Sequence, residues 1–418
     1  MKREKISESS LASACSRIES GKRIMKVLFV AYNYLPNIDA NVRIVSNICK
    51  HLTHCGVDVS ILTYLSDRSL PCEEVIENQQ IYRVKMSFFA RVIRRLKRLF
   101  IAEASYIDSA IEKKVTRLVA ENNMDIVVPV SQSIECVGSV LAVVRKNPDI
   151  KFMPYFLDPF STSPFNLSRK ARETRLEAEI YERCVKTVLT NEMYEENKEN
   201  SFKNYLQKME PLSFPNVQKL CSTPAEDDIV FDKRYINCVY VGFLYSDIRS
   251  TKFFFGLLKS CGNNDIVFHL IGGRDGLDAD LEDAKHILGK RLIIHGKVSG
   301  QAAVNALLNA DVLINIGNNV TNMVPSKIFE YISAGKPIVN TYKSPGCPTL
   351  KYTEKYPLCL DLLENQDISD GLVEEFEKFC VENKEKSMSY EYVEALYAEH
   401  TVESVGMRFY EILRQSLD

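Results

Sequence analysis

A carboxylate close to the start of a short helix is the first candidate for chemistry in this sequence. In the stretch NMVPSKIFEYISAGKPIV, Pro325 fits the first position of a helix because its missing N–H would be unpaired there. The amides and positive dipole end of such a helix attract phosphate. Glu330 lies about one turn further on, away from the apolar face, where it can accept hydrogen bonds from a ribose diol. One interpretation of these residues is therefore a site for a phosphorylated ligand.

An alternative interpretation makes Glu330 a solvated surface acid paired with Lys327. A lysine that precedes its glutamate is the poorer order for such a pair, which stabilises a helix by about 0.2 to 0.5 kcal/mol at best. Position alone leaves both interpretations open.

The composition is that of an ordinary globular protein with two domains. A chain of 418 residues exceeds the size of one hydrophobic core, and a net charge of -2 gives no general attraction to nucleic acid. The twelve cysteines form no C-x-x-C pair, which favours reduced thiols and a cytoplasmic location. Residues 1–24 are polar and are expected to be a disordered leader, and no run approaches the roughly 18 apolar residues of a membrane span.

Short β-rich runs alternate with helical stretches from Lys26 onward, which is typical of parallel βαβ units. The acidic, loop-like residues 216–234 interrupt this alternation. We therefore predict an α/β protein with two Rossmann-like, doubly wound domains that face each other across a cleft. The expected boundaries are 25–215, a linker 216–234, a second domain 235–385, and closing helices 386–418 that return to the first domain. Ligands of such sheets bind at the carboxyl ends of the strands.

Several segments resemble the GT-B glycosyltransferases, specifically their retaining family four. They are VPSKIFEYISAGKPIV, KVLFVAYNYLPN (26–37), FPNV (214–217), VGFLYSDIRS (241–250), HGKVS (295–299) and DVLINIG (311–317). The resemblance implies transfer of a sugar from a nucleoside diphosphate sugar, without a metal or another cofactor. No paired acids flank a strand end, so the residues themselves suggest no metal site either.

The resemblance assigns roles to residues of the second domain. Glu330 would hold the donor ribose, Pro325 and Ser326 would present amides to the diphosphate, and the backbone around Val298 would contact the base. At Asn322 the family often has a glutamate, and an amide supplies no negative charge there.

The phosphate-binding cations of the family are also altered. Phe243 follows Gly242 where an arginine is common, so Arg249 and Lys327 become the candidate catalytic cations. A guanidinium can grip a diphosphate at two points.

Three residues of the first domain are candidates for acceptor binding and catalysis. Asn37 and Asp39 lie in the loop after the first strand, where they could contact acceptor hydroxyls or simply form a turn. Asp158, in YFLDPF, follows a strand end and is a catalytic candidate, although Asp-Pro also occurs in turns for local reasons.

The segment KMSFFARVIRRLKRLFI (85–101) carries six cations and no acid. A helix of this kind can lie on an anionic membrane, with Arg91, Arg94, Arg95 and Arg98 facing the lipid, or it can pack on a core with a solvated basic face. No aromatic stacking platform favours nucleic acid. With the resemblance, the segment suggests a lipid-linked saccharide of a bacterial surface polysaccharide as acceptor, at the inner face of the membrane. A nucleotide-sugar epimerase and a non-catalytic nucleotide-sugar-binding protein remain open.

Replacing Arg94, Arg95 and Arg98 by Glu should abolish sedimentation with anionic vesicles, because each basic residue near such a surface contributes about 1 kcal/mol. Vesicles of neutral lipid are the control. Undiminished sedimentation of the triple variant would remove the membrane assignment.

Overall fold

The computed structural model describes residues 23–37, 39–88, 106–131, 133–163, 170–245, 249–275, 278–318, 323–364 and 366–418. The chain divides into two compact units. The first runs to Pro215 and includes Val402–Asp418, and the second is Asn216–Thr401. Residues 386–401, which the sequence groups with the closing helices, and the proposed linker 216–234 therefore both lie in the second unit.

The first unit is a mainly parallel sheet with helices between its strands. Its strands are β1 Lys26–Val30, β2 Asp58–Tyr64, β3 Glu73–Ile76, β4 Gln79–Val84, β5 Ile126–Pro129, β6 Tyr155–Phe156, β7 Thr187–Leu189 and β8 Met209–Pro211. Its helices are α1 Ala40–His54, α2 Ser109–Asn122, α3 Ile134–Lys146, α4 Lys170–Arg183 and α5 Asn191–Glu199. The strand orders β3-β4-β2-β1-β5 and β6-β7-β8 are linked by bridges from Val127 to Phe152 and from Val130 to Tyr155.

Strand β3, which forms an antiparallel hairpin with β4, is the part of this sheet that sequence patterning missed. Glu77 and Asn78 form its two-residue turn with φ values of 52° and 62°, and such positive values are those of hairpin turns whose twist matches the strands. The short edge strand β3 is charged and half exposed, so it lacks the apolar run that marks the other strands.

The second unit repeats the plan with a six-stranded parallel sheet. Its strands are β9 Ile236–Val241, β10 Leu244–Tyr245, β11 Ile266–Ile271, β12 Arg274–Asp275, β13 Leu292–Gly296, β14 Val312–Ile316, β15 Ile338–Tyr342 and β16 Cys359–Leu363. Its helices are α6 Lys252–Ser260, α7 Asp278–Leu288, α8 Gly300–Asn309, α9 Lys327–Ser333, α10 Leu350–Thr353, α11 Asp370–Asn383 and α12 Tyr390–Leu396. The predicted fold class, with two Rossmann-like domains, is confirmed.

The central strands of both sheets are buried on two faces, which explains their continuous apolar runs. Every residue of β9, β11 and β14 is buried. Within the described residues, no helix is both long enough and apolar enough to cross a membrane.

The last helix, α13 Val402–Leu417, closes the core of the first unit. Its Phe409 is fully buried and packs against Phe29 and Tyr155, with ring centroids 5.8 and 5.5 Å away. Gly406 lets α13 approach α1, because a Cβ at this position would stand 2.4 Å from Cγ of His51. The contact therefore depends on the absence of a side chain.

We expect Gly406→Ala to lower the free energy of unfolding by about 1 to 2 kcal/mol, since overpacking costs about 1 to 3 kcal/mol and a helical alanine recovers up to about 1. Urea denaturation of the full chain measures the change. Gly371→Ala in α11 is the matched control, because a Cβ there meets nothing within 4 Å. Equal stability of Gly406→Ala and wild type would contradict the proposed packing.

Candidate functional site

The second sheet has its topological switch point between β9 and β14. The strand order is β13-β11-β9-β14-β15-β16, and β9 pairs with β14 only through Cys238–Val312 and Val239–Leu313. Beyond Val239 the two strands separate. A crevice at the carboxyl ends of separating strands is where open α/β sheets bind ligands.

Tyr331 of α9 occupies the gap that this separation leaves. Its hydroxyl accepts a hydrogen bond from the Val241 amide at 2.8 Å and donates one to the Val241 carbonyl at 3.2 Å. Burial raises the pKa of Tyr331 well above its usual value, so the hydroxyl keeps the proton that it donates. One side chain thus replaces the missing strand contacts and fixes α9 against the end of β9.

Three glycines bring backbone from neighbouring loops together at this edge. The Gly242 amide donates to the Ile271 carbonyl at 2.8 Å, and the Gly272 amide donates to the Gly296 carbonyl at 2.6 Å. Gly272 has a φ of +127°, and a Cβ there would stand 1.9 Å from the Gly242 oxygen. Only glycine permits this close approach, so backbone lines the floor of the site.

Lys327 and Arg249, which are distant in sequence, both lie at Gly242. A Cβ at Gly242 would be 2.9 Å from Cδ and Cε of Lys327. The Arg249 Nε donates to Asn318 Oδ1 at 2.9 Å, and its Nη1 donates to the Tyr240 hydroxyl and the Phe243 carbonyl, each at 3.0 Å. The guanidinium is therefore held in a fixed orientation.

The α-helix that follows begins at Lys327, not at Pro325 as predicted. The Ile328 amide bonds to the Pro325 carbonyl at 3.0 Å, and the Phe329 amide bonds to the Ser326 carbonyl at 3.3 Å. These bonds span three residues, so Pro325 and Ser326 form a tighter turn before the α-helix.

Glu330 is 8% exposed, although it lies in the first turn of α9. Its interpretation as a solvated surface acid is therefore wrong. A carboxylate has several acceptor sites, so Glu330 can also accept hydrogen bonds from a ligand diol.

Two predicted binding residues of this unit remain, Val298 and Asn322. Val298 is half-buried in the loop after β13, and Asn322 lies outside the described residues. Beside them, the Lys297 ammonium lies over the Phe243 ring, 6.0 Å from its centroid. Phe243, directly after Gly242, thus contributes a ring face that faces a cation.

Sequence analysis missed Tyr240, Tyr331 and Asn318. Gly272 and Gly273 carried a usable signal, because a Gly-Gly pair directly after an apolar strand indicates close backbone approach. Tyrosines inside apolar runs gave no such signal.

The candidates of the first unit have different hydrogen-bond partners. Asp39 caps α1, accepting from the Val42 amide at 2.8 Å and from Asn33 Nδ2 at 3.2 Å. Asn37 Nδ2 donates to the Ser66 hydroxyl at 2.7 Å. Asp158 follows β6, and burial raises its pKa while a hydrogen bond with Asn41 opposes that shift. Asp39 thus has a structural role that the turn interpretation allowed.

Arg91, Arg94, Arg95 and Arg98 lie outside the described residues. Among the side chains that the structure describes, no three of His, Cys, Asp or Glu are grouped as metal ligands would be.

Comparison of the sequence with protein-family models and with curated proteins gives no match. Solved structures do match, at low sequence identity. Sucrose-phosphate synthase from Thermosynechococcus elongatus has a TM-score of 0.68 and 12% identity, over 94% of this chain and 98% of its own. The lipopolysaccharide outer core galactosyltransferase WaaB, in its apo form, has a TM-score of 0.61 and 13% identity, over 94% and 99%.

A putative UDP-N-acetylglucosamine 2-epimerase from Listeria monocytogenes also matches, with a TM-score of 0.58 and 11% identity, over 94% of this chain and 96% of its own. These likenesses establish the two-domain GT-B fold over nearly the whole chain. Identity this low carries the fold and leaves the activity to the site residues.

Tyr331→Phe should lower the free energy of unfolding by about 1 to 3 kcal/mol, because it leaves the buried Val241 amide and carbonyl without their partner. Chemical denaturation measures the loss. Tyr392→Phe is the control, since Tyr392 is 52% exposed. If both variants match the wild type, the hydroxyl does not hold the end of β9.

Proposed function

We propose that this chain is a glycosyltransferase whose second unit binds a nucleoside diphosphate sugar. The observation that carries the proposal is the meeting of Arg249 and Lys327 at Gly242, beside the glycine-lined end of β9. Two cations at a topological switch point suit a diphosphate. The GT-B fold also favours a nucleoside diphosphate sugar as ligand, because the matched epimerase is named for a UDP sugar.

Arg249 and Lys327 would act on the leaving group. When the bond between the sugar carbon and the phosphate oxygen breaks, negative charge grows on the departing diphosphate. Arg249 is already oriented by Asn318, Tyr240 and the Phe243 carbonyl, so little reorganisation is needed as that charge develops. Lys327 would add a second positive charge from the first turn of α9.

The donor nucleoside would extend from the diphosphate along α9. Glu330, one turn into the helix, would accept hydrogen bonds from the ribose hydroxyls, and the backbone at Val298 would contact the base. Asn322 would bond a hydroxyl of the transferred sugar. Pro325 and Ser326 would present the turn before α9 to the phosphates.

The first unit would supply the acceptor side. Asp158 would orient the acceptor hydroxyl, and burial makes its carboxyl hold a proton more readily than an exposed aspartate does. Asn37 and Asp39 would contact the acceptor. We propose a lipid-linked saccharide as that acceptor, supported by the basic segment 85–101 and by the likeness to a lipopolysaccharide galactosyltransferase. Retention of configuration and independence of metal are further parts of the proposal.

The activity test uses a panel of UDP, GDP, ADP and dTDP sugars, with and without bacterial lipid extract. A transferase releases nucleoside diphosphate only when an acceptor is present, apart from slow hydrolysis. An epimerase instead changes the sugar without any acceptor, and a binding protein changes neither. Loss of the activity in Arg249→Gln would support the assignment of the leaving-group cation.

Glu330→Gln should weaken binding of the donor found in that panel about tenfold, because a charged hydrogen bond contributes about 1.5 to 3 kcal/mol and a neutral amide replaces it. Isothermal titration calorimetry measures the affinity. Glu375→Gln, an exposed change in α11, is the control. Unchanged affinity with an intact fold would remove Glu330 from the site.

A further inference from the structure

A cavity of about 700 Å³ lies along β9, β11 and β13 in the second unit. Its lining includes Tyr235, Asn237, His269, Lys290, Ile293 and His295. These residues lie within or before their strands, whereas the proposed donor site follows the strand ends. The cavity shares no residue with the donor site described above.

The polar wall of this cavity is a chain of hydrogen bonds through two histidines. Asn237 Oδ1 is 3.1 Å from His269 Nε2, and His269 Nδ1 is 2.9 Å from His295 Nε2. The two ring planes differ by 15°, with centroids 5.3 Å apart. That spacing fits rings joined edge to edge by a hydrogen bond. Asn237 and His269 are 1% and 4% exposed.

Asn237 fixes the donor-to-acceptor direction of these hydrogen bonds. Its Nδ2 donates to Asp311 Oδ2 at 2.9 Å and to the backbone carbonyls of Asp232 and Tyr235 at 3.2 and 3.3 Å. The amide oxygen must therefore face His269, which donates from Nε2 and accepts at Nδ1. His295 then donates from Nε2, so its Nδ1 is left as a hydrogen-bond acceptor.

Charge at the cavity is mainly positive and comes from lysines. Arg291 donates to the carbonyls of Ile266, Cys261 and Leu258, which commits its guanidinium to the backbone. Asp232 is held by Arg234 at 2.6 Å. Lys285 donates to the carbonyls of Gly289 and Leu292, and Lys290 is exposed at the edge of the cavity.

These features together select a class of ligand. A lysine ammonium is a compact charge suited to phosphate, whereas the arginine fork that suits a carboxylate is already used. The acceptor at His295 disfavours a bare anion and favours a hydroxyl donor. Val267, Leu288 and Ile293 give the cavity apolar walls that accommodate a ring.

We propose that this cavity is a binding site for a phosphomonoester of a hydroxylated ring, such as a sugar monophosphate. A ligand hydroxyl donates to His295 Nδ1, and the phosphate lies against Lys290. Because β13 leads directly into the loop that contains Val298, the bound phosphomonoester is placed to influence the donor site.

The test is calorimetric titration of the full chain with glucose 6-phosphate, in the presence and absence of the donor identified above. His295→Phe and Lys290→Gln should each weaken binding at least tenfold, and Lys259→Gln on α6 should not change it. Glucose and inorganic phosphate should each bind at least tenfold more weakly than glucose 6-phosphate. Donor affinity measured without glucose 6-phosphate should be the same in Lys290→Gln and wild type, which separates this site from the donor site.

Long-range ¹H–¹⁵N spectra of the wild-type protein give a readout that needs no variant. They should show His269 protonated at Nε2 and unprotonated at Nδ1, with the His295 Nδ1 signal shifting on addition of glucose 6-phosphate. Absence of binding, binding that survives both His295→Phe and Lys290→Gln, or the opposite His269 tautomer would overturn the proposal.

Discussion

The candidate donor site depends on the hydroxyl of Tyr331 and its two bonds to the Val241 backbone. Where β14 leaves β9, the last residue of β9 would otherwise have an unpaired amide and carbonyl in a buried position, at a cost of about 1 to 3 kcal/mol for each group. Tyr331 satisfies both groups and ties α9 to the sheet. The positions of Lys327 and Glu330 follow from that attachment, because both lie on the same short helix.

Glycine at the strand ends has the complementary effect of removing side chains from the same edge. Gly242 and Gly272 allow two loops to approach so closely that a methyl group would overlap backbone. Backbone therefore meets backbone directly at this edge, and Arg249 is held beside it by three acceptors. A cation that is already oriented stabilises developing charge without first having to reorganise.

The sheet of the second unit carries two groups of polar residues that are built differently. At the strand ends, the candidate donor site is built from loops, glycines and two cations. The second group is a series of side-chain hydrogen bonds with a fixed donor-to-acceptor direction. It joins Asn237 of β9, His269 of β11 and His295 of β13. Burial lowers the pKa of His269 to about 4 and also lowers that of His295, so both rings are neutral near pH 7 and the direction of the chain is preserved.

The sequence by itself determined the alternating strands and helices, because buried parallel strands are continuous apolar runs with polar connections. It also identified Gly242, Arg249, Lys327 and Glu330 as candidate site residues. Only the tertiary structure decided that Glu330 is buried, that the α-helix begins at Lys327, and that Tyr331 and the histidine pair are polar contacts within the core. Sequence periodicity reports which face of an element is apolar, whereas a hydrogen bond between side chains far apart in the chain depends on how the strands are ordered in the sheet.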